Sequence, residues 1–361
     1  MVSQMSNKSR ILFDARFLTR QPNGISTDSS AILHHLLEWS NRITLLTDNR
    51  NQEIIRQLYP AKKQFYVGNF RIAILKSLVK RKKVDDCFDY VFFSQFYPIR
   101  LKHKSNTKVI YRVHDFFPIT NPEWFKFNQK LSFWLGIRNS NSSNFFLFNS
   151  NFTAEIALRF KKFTKFQLLS CPTFAFNLEP CKKCKICLEG LPHKKYALTV
   201  GTLEPRKNYG ALINFWIPIF KAVDIPLIIV ANSGWKHASH AKNNDASGLI
   251  HVSNLCEFGL NQLYSKTFLY IAPSLAEGFD IPAVLAKKYN CFVLASDIPV
   301  HREILGKDNR IKFISPNFDK NSHREVIDFL RDIRPINQFF DIDLEKRVWA
   351  EEFQRSINSL V

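Results

Sequence analysis

Short apolar runs and longer amphipathic stretches alternate along most of the chain, and that alternation predicts its fold class. Runs at 10–13, 43–47, 90–94, 108–113, 144–148 and 166–169 have strand character, while 29–39 and 153–160 carry the apolar spacing of helices. The rhythm restarts after a break, with strands expected at 196–200, 227–231, 249–252, 268–272, 292–295 and 311–314. Helices are expected between them, at 283–288 and 300–305 among others. Strand and helix in alternation give parallel sheets covered on both faces, hence an α/β protein of two doubly wound domains. Open parallel sheets bind ligands beyond the carboxyl ends of their strands, so two such domains facing each other place a cleft between those ends. The expected division is a first domain over 1–177, a Cys- and Lys-rich linker over 178–195, and a second domain over 196–340. A last amphipathic stretch over 341–361 is expected to pack back on the first domain.

Size agrees with two cores: the chain has 361 residues, 45% of them apolar. Charge adds an asymmetry. Lys and Arg outnumber Asp and Glu by 51 to 31, and through Gly190 the counts are 30 and 13, so nearly all of the excess lies in the first half. Such a surplus implies an anionic partner, such as a phospholipid surface, a lipid-linked phosphate or a nucleic acid, or else a solvated basic surface. The densest cluster, Lys80-Arg81-Lys82-Lys83, follows an apolar stretch at 72–79. It reads either as a helix lying on a bilayer or as a surface loop. Specific nucleic-acid binding rests on charge alone and lacks any recognisable module. The polar opening residues and the lack of eighteen consecutive apolar positions imply a cytoplasmic chain, at most peripheral to a membrane at its inner face. Seven cysteines in a reducing compartment are expected to be mostly free thiols.

Two loops carry the candidate chemistry. Gly201-Thr202-Leu203-Glu204-Pro205-Arg206-Lys207-Asn208 and Pro273-Ser274-Leu275-Ala276-Glu277-Gly278-Phe279-Asp280-Ile281-Pro282 each follow a predicted strand and open a predicted helix. Backbone N–H groups and the positive end of the helix dipole favour anions there. Arg206 and Lys207 add cations suited to a diphosphate, and Glu277 adds a carboxylate suited to sugar hydroxyls.

At these residues, and at Ala295-Ser296-Asp297-Ile298-Pro299-Val300-His301-Arg302-Glu303, the sequence resembles the retaining GT-B glycosyltransferases of the family 4 type. Looser matches are Asn23-Gly24-Ile25, Val113-His114-Asp115-Phe116-Phe117-Pro118 and Asn149-Ser150-Asn151-Phe152-Thr153. The resemblance implies two Rossmann-like domains and a nucleotide diphosphate sugar as donor, with no cofactor or bound metal required. Its acceptor would be a glycan or lipid-linked glycan, as in surface polysaccharide or lipopolysaccharide synthesis. By the same resemblance Arg206 and Lys207 neutralise the leaving diphosphate, while Glu277 with Gly278, Phe279, Asp280 and Ile281 holds the donor. Gly201 belongs to that donor site, Gly24 lets the first loop approach the diphosphate, and His114 sits beneath the sugar as a fourth catalytic residue. The 297–303 segment suggests GDP-mannose.

Three positions depart from the family pattern. Leu285 stands where a second glutamate binds the ribose, Ser26 and Thr27 stand where Gly and Arg are common, and Asp280 replaces a glycine. These departures keep a second reading open, that of a catalytically silent homologue acting as a binding or scaffold subunit. Elsewhere, Cys181, Cys184 and Cys187 have metal-ligand spacing, with Cys171 or His193 as a fourth ligand, and read as a structural zinc site or an unligated linker. Glu204 is expected to turn its loop or pair with Arg206, and Ser150 to cap a helix.

Overall fold

The structure, a computed structural model, describes residues 8–18, 23–40, 42–47, 71–74, 82–83, 88–96, 101–102, 106–141, 144–174, 195–232, 248–253, 255–319, 321–334 and 340–360. Two compact units emerge, Met1–Pro172 with Arg347–Val361, and Thr173–Lys346.

The first unit is built on a seven-stranded parallel sheet. Across it run Arg71–Ile74, Ile43–Thr47, Ile11–Asp14, Tyr90–Phe93, Lys108–Val113, Phe145–Phe148 and Phe166–Leu168. The chain thus starts mid-sheet, winds outward one way, and returns to build the other side. Alternate residues go to opposite faces, and both faces are covered. Leu12, Val91, Phe93, Tyr111, Phe146 and Phe148 meet Ala154, Ala157 and Phe163 on one face. On the other, Phe92 stacks against Phe13 and meets Phe353 of the helix Ile342–Leu360, with ring centroids 6.1 and 6.3 Å apart. Ser150 caps the helix Asn151–Phe160 by accepting from the Thr153 N–H.

The edge strand Arg71–Ile74 bears on the start of the 72–79 stretch, which reads as helix or as surface loop. Residues 72–74 extend the sheet alongside Ile43–Thr47 instead of opening an amphipathic helix. Alternating Ile72 and Ile74 suit a strand, and the unpaired edge of Ile43–Thr47 supplies the partner that local sequence does not reveal. Lys82–Lys83 pairs with Leu101–Lys102 in a short parallel ribbon; residues 75–81, with Lys80 and Arg81, lie outside the described residues.

The second unit has a six-stranded parallel sheet in the order Leu249–Val252, Leu227–Asn232, Ala197–Thr202, Leu269–Ala272, Phe292–Ser296 and Ile311–Ile314. Leu227, Ile229, Leu269, Ile271 and Leu294 face the helices Tyr209–Val223 and Ser322–Asp332, where Trp216 and Leu330 are buried. Their neighbours Ile228, Tyr270, Ala272, Val293 and Ala295 face Leu263, Tyr264, Ala283, Ala286 and Leu305 on helices of the opposite layer. Both orders reverse direction beside the first strand of the sheet, which opens a crevice at the carboxyl ends there.

Gly248 closes the turn into Leu249–Val252 with φ of +66°, and a Cβ on it would come within 2.4 Å of the Phe220 ring. Gly248→Ala is therefore expected to destabilise the second unit by about 2–4 kcal/mol, combining left-handed strain with overpacking. The denaturant midpoint measures it, at an unchanged slope.

Candidate functional site

In the second unit the switch point falls between Ala197–Thr202 and Leu269–Ala272, and both candidate loops leave from there. The first turns through Pro205–Lys207 and passes Asn208, in the left-handed region at φ of 55°, into the helix Tyr209–Val223. The second runs from Leu269–Ala272 to Asp280, also left-handed at φ of 58°, which starts the helix Ile281–Lys288. A backbone bond from Leu275 N to Arg206 O, 2.7 Å long, ties the loops together. Gly201 is needed for space, since a Cβ there would lie 2.7 Å from the Tyr209 hydroxyl and 3.3 Å from the Lys207 stem.

Glu277 lies at the centre. Its Oε2 accepts from Arg206 at 2.6 Å, and its Oε1 is 2.6 Å from the Lys207 ammonium and accepts from the Ser274 hydroxyl at 2.7 Å. Arg206 also donates to Glu204 Oε2 at 2.8 Å, while Glu204 Oε1 accepts from Thr202 at 2.6 Å. Both roles foreseen for Glu204, turning the loop and pairing with Arg206, are thus filled. Asp280 extends the cluster, with Oδ1 3.7 Å from Lys207 and Oδ2 3.0 Å from His301 Nε2. The His301 Nδ1 faces the Ser296 carbonyl at 2.9 Å, and the Ser296 hydroxyl already donates to Ser274 O. Both ring nitrogens are thus within hydrogen-bond distance of an oxygen, which fixes the ring's orientation.

Burial pushes both inner carboxyls toward the neutral form, yet the cations win. Arg206 and Lys207 hold Glu277 below its ordinary range, and Lys207 with His301 holds Asp280 at about 2. Burial, reinforced by the Asp280 and Glu277 carboxylates, drives the Tyr209 phenol far up, so it stays neutral. Arg206 has the most exposed side chain of the cluster, at 19%; His301 is fully buried.

The first unit holds the other candidates. Arg112, fully buried within Lys108–Val113, makes a bidentate pair with Asp28 at 2.8 Å on both arms and donates to Leu169 O at 2.7 Å. Next to them, His114 Nε2 is 3.1 Å from the Ser94 carbonyl, which fixes the proton on Nε2 and leaves Nδ1 as an acceptor. Burial lowers its pKa to about 4; Asp28 opposes this and Arg112 adds to it. Gly24 is the first residue of the helix Gly24–Trp39, whose Asn23 cap is reciprocated by Ser26. Ser26 is therefore a capping residue.

Residues 194–332 match the family described as Glycosyl transferases group 1. That stretch is similar to the group 1 glycosyltransferases. Curated relatives agree at low identity. The O-antigen chain mannosyltransferase RfbU of Salmonella typhimurium is 29% identical over 134 residues, which is 36% of this chain and 36% of that protein. The serotype-specific mannosyltransferase WbdA of Escherichia coli is 24% identical over 219 residues, 53% of this chain and 26% of that protein. The matched regions thus span only 36% and 26% of those relatives' lengths. Among solved structures, WaaG, a glycosyltransferase involved in lipopolysaccharide biosynthesis, superposes with a TM-score of 0.63 at 13% identity over 96% of this chain and 94% of its own. HepE of Anabaena, solved with UDP and glucose, gives 0.62 at 12% identity over 97% and 95%. These likenesses establish the fold, two Rossmann-like domains of the GT-B type.

The matched segment contains Gly201, Arg206, Lys207, Glu277, Gly278, Phe279, Asp280 and Ile281, whereas His114 and Gly24 belong to the other unit. Sequence reading did not single out Tyr209, Ser274 or His301 as site residues, although Ser274 and His301 lie inside matched motifs. The Asp28–Arg112 pair carried no local signal beyond an arginine inside an apolar strand. Leu285, at the expected ribose position, packs against the apolar cluster of Tyr264 and Ala286. Cys181, Cys184, Cys187 and His193 lie outside the described residues; Cys171 is buried against Arg112, with Sγ 3.5 Å from the guanidinium. Cys171 and Cys291 are free thiols, and Cys256 is disulfide-bonded. Among the described residues no group of acidic, His and Cys side chains could hold a metal ion.

Asp28→Ala would strand the buried Arg112 charge and is expected to cost about 3–5 kcal/mol in chemical denaturation, with the double change Asp28→Leu and Arg112→Met costing less. The lowered His114 pKa favours the neutral ring in the folded state, so its contribution is complete above the unfolded value of 6.5 and is lost as pH falls toward about 4. Denaturation between those limits should show a slope of up to about 1.4 kcal/mol per pH unit that His114→Asn removes.

Proposed function

We propose that this chain is a retaining glycosyltransferase moving a hexose, of mannose type, from a nucleotide diphosphate sugar to a glycan or lipid-linked glycan in surface polysaccharide or lipopolysaccharide synthesis. The observation that carries this reading is the meeting of Arg206, Lys207 and Glu277 at the switch point of a segment similar to the group 1 glycosyltransferases. Relatives named as mannosyltransferases, and a fold neighbour solved with UDP and glucose, support it.

In the proposed reaction the diphosphate meets Arg206 first, because its guanidinium is the most exposed charge of the cluster. Lys207 lies behind it. As the bond to the sugar breaks, negative charge grows on the departing phosphate, and cations already fixed in place by carboxylates stabilise that charge without reorganising. Glu277, ionised and buried, accepts from sugar hydroxyls. His114, neutral and with Nδ1 as an acceptor, contributes from the first unit, as Gly24 does by its lack of a side chain. The first unit takes the acceptor, the second the donor, and work on a lipid-linked acceptor places the chain at the inner face of a membrane. Among the described residues no helix is long and apolar enough to cross one.

A second reading, a silent scaffold homologue, is favoured by Leu285, whose packing in an apolar cluster leaves no carboxylate for the ribose. Release of nucleoside diphosphate from GDP-mannose or UDP-glucose, with acceptor present, separates the two. The enzyme reading expects turnover that Arg206→Ala lowers by about a hundredfold or more. Absence of turnover, with no calorimetric heat from GDP or UDP, establishes the scaffold; equal release by both proteins removes the role given to Arg206.

A further inference from the structure

Away from the charge cluster, the first unit presents an exposed apolar stripe. The helix Phe127–Asn139 buries Gly136 and sets Phe133 edge-on against Phe96 and Phe116, with centroids 5.5 and 5.6 Å apart. Its other face repeats at helical spacing. Phe127 is 75% exposed, Leu131 43% and Trp134 49%, and the guanidinium of Arg138, one further turn along, lies 5.4 Å from the centre of the Trp134 ring. The Lys161 ammonium donates to Ile137 O at 2.8 Å, holding the helix's carboxyl end and complementing its dipole. Exposed Phe160 stacks on Phe116, the ring that also meets Phe133, so a second apolar side chain borders the same cluster.

Charge decides what this face fits. Between Lys126 and Lys165 seven residues are basic, namely Lys126, Lys130, Arg138, Arg159, Lys161, Lys162 and Lys165, and one is acidic, Glu155. Large exposed Phe, Leu and Trp side chains with Lys and Arg beside them, and no acid on the helix itself, match a helix lying in a bilayer interface. Protein-binding patches by contrast are depleted in lysine. We propose that this stripe seats the first unit on an anionic phospholipid surface, Phe127, Leu131 and Trp134 entering the headgroup boundary and the basic residues meeting lipid phosphates. The docking face is thus Phe127–Asn139 and its basic surround. It does not rest on the transfer reaction.

Cosedimentation of the full chain with vesicles tests it, using phosphatidylcholine alone and phosphatidylcholine mixed with phosphatidylglycerol. Binding is expected only with the anionic lipid and should weaken as salt rises. Phe127→Ser with Trp134→Ser, both at exposed positions and checked for folding by circular dichroism, is expected to weaken binding about tenfold or more. Lys130→Glu with Arg138→Glu should weaken it by about fivefold for each charge removed. No binding to anionic vesicles overturns the proposal, as does binding that neither pair of substitutions changes. Self-association that the serine variant abolishes, without any lipid binding, would make the stripe a protein interface and overturn it too.

Discussion

Glu277 is gripped by two cations from the neighbouring loop, and the second unit's functional end is organised around that grip. A buried carboxylate alone would protonate or unfold its surroundings, and two buried cations alone would be worse. Together, with Glu204, Asp280 and His301 closing the outer contacts, two cations, three carboxylates and an imidazole satisfy one another. The arrangement fixes both loops at the switch point without any ligand and keeps the charges rigid. Arg206, at the rim, is its most exposed member.

Asp280 illustrates how a departure from a family pattern is absorbed. A carboxylate where glycine is common sits in the left-handed region, a strained place for a side chain. The His301 and Lys207 contacts offset that strain, and the same carboxylate holds His301 against the end of the Phe292–Ser296 strand. Leu285 is absorbed differently, by joining the apolar layer between helix and sheet. One departure adds to the charge network, and the other removes an acceptor from it.

The first unit uses a buried ion pair for another purpose. Asp28 on the first helix and Arg112 on a central strand lock helix to sheet, and Arg112 reaches on to the carbonyl of Leu169. His114, two residues past Arg112, inherits a dry setting in which only its neutral form is stable at ordinary pH. Its tautomer is set by the Ser94 carbonyl on the adjacent strand's loop.

Periodicity alone determined the two doubly wound sheets, because strands buried on both faces must be continuously apolar and their helices must repeat an apolar face. Motif spacing alone placed Arg206, Lys207 and Glu277 at strand ends, since the strand, loop and helix are contiguous in the chain. Tertiary structure decided everything that joins distant positions. Glu277 lies 71 residues from Arg206, and Asp28 lies 84 from Arg112, separations over which no local propensity acts. The edge strand Arg71–Ile74 likewise depends on a partner's open edge. Whether Leu285 faces an apolar layer, and whether Phe127, Leu131 and Trp134 face solvent, follows from what packs beside each helix. A sequence states which side chains share a helix face; only the folded neighbours determine which face is covered.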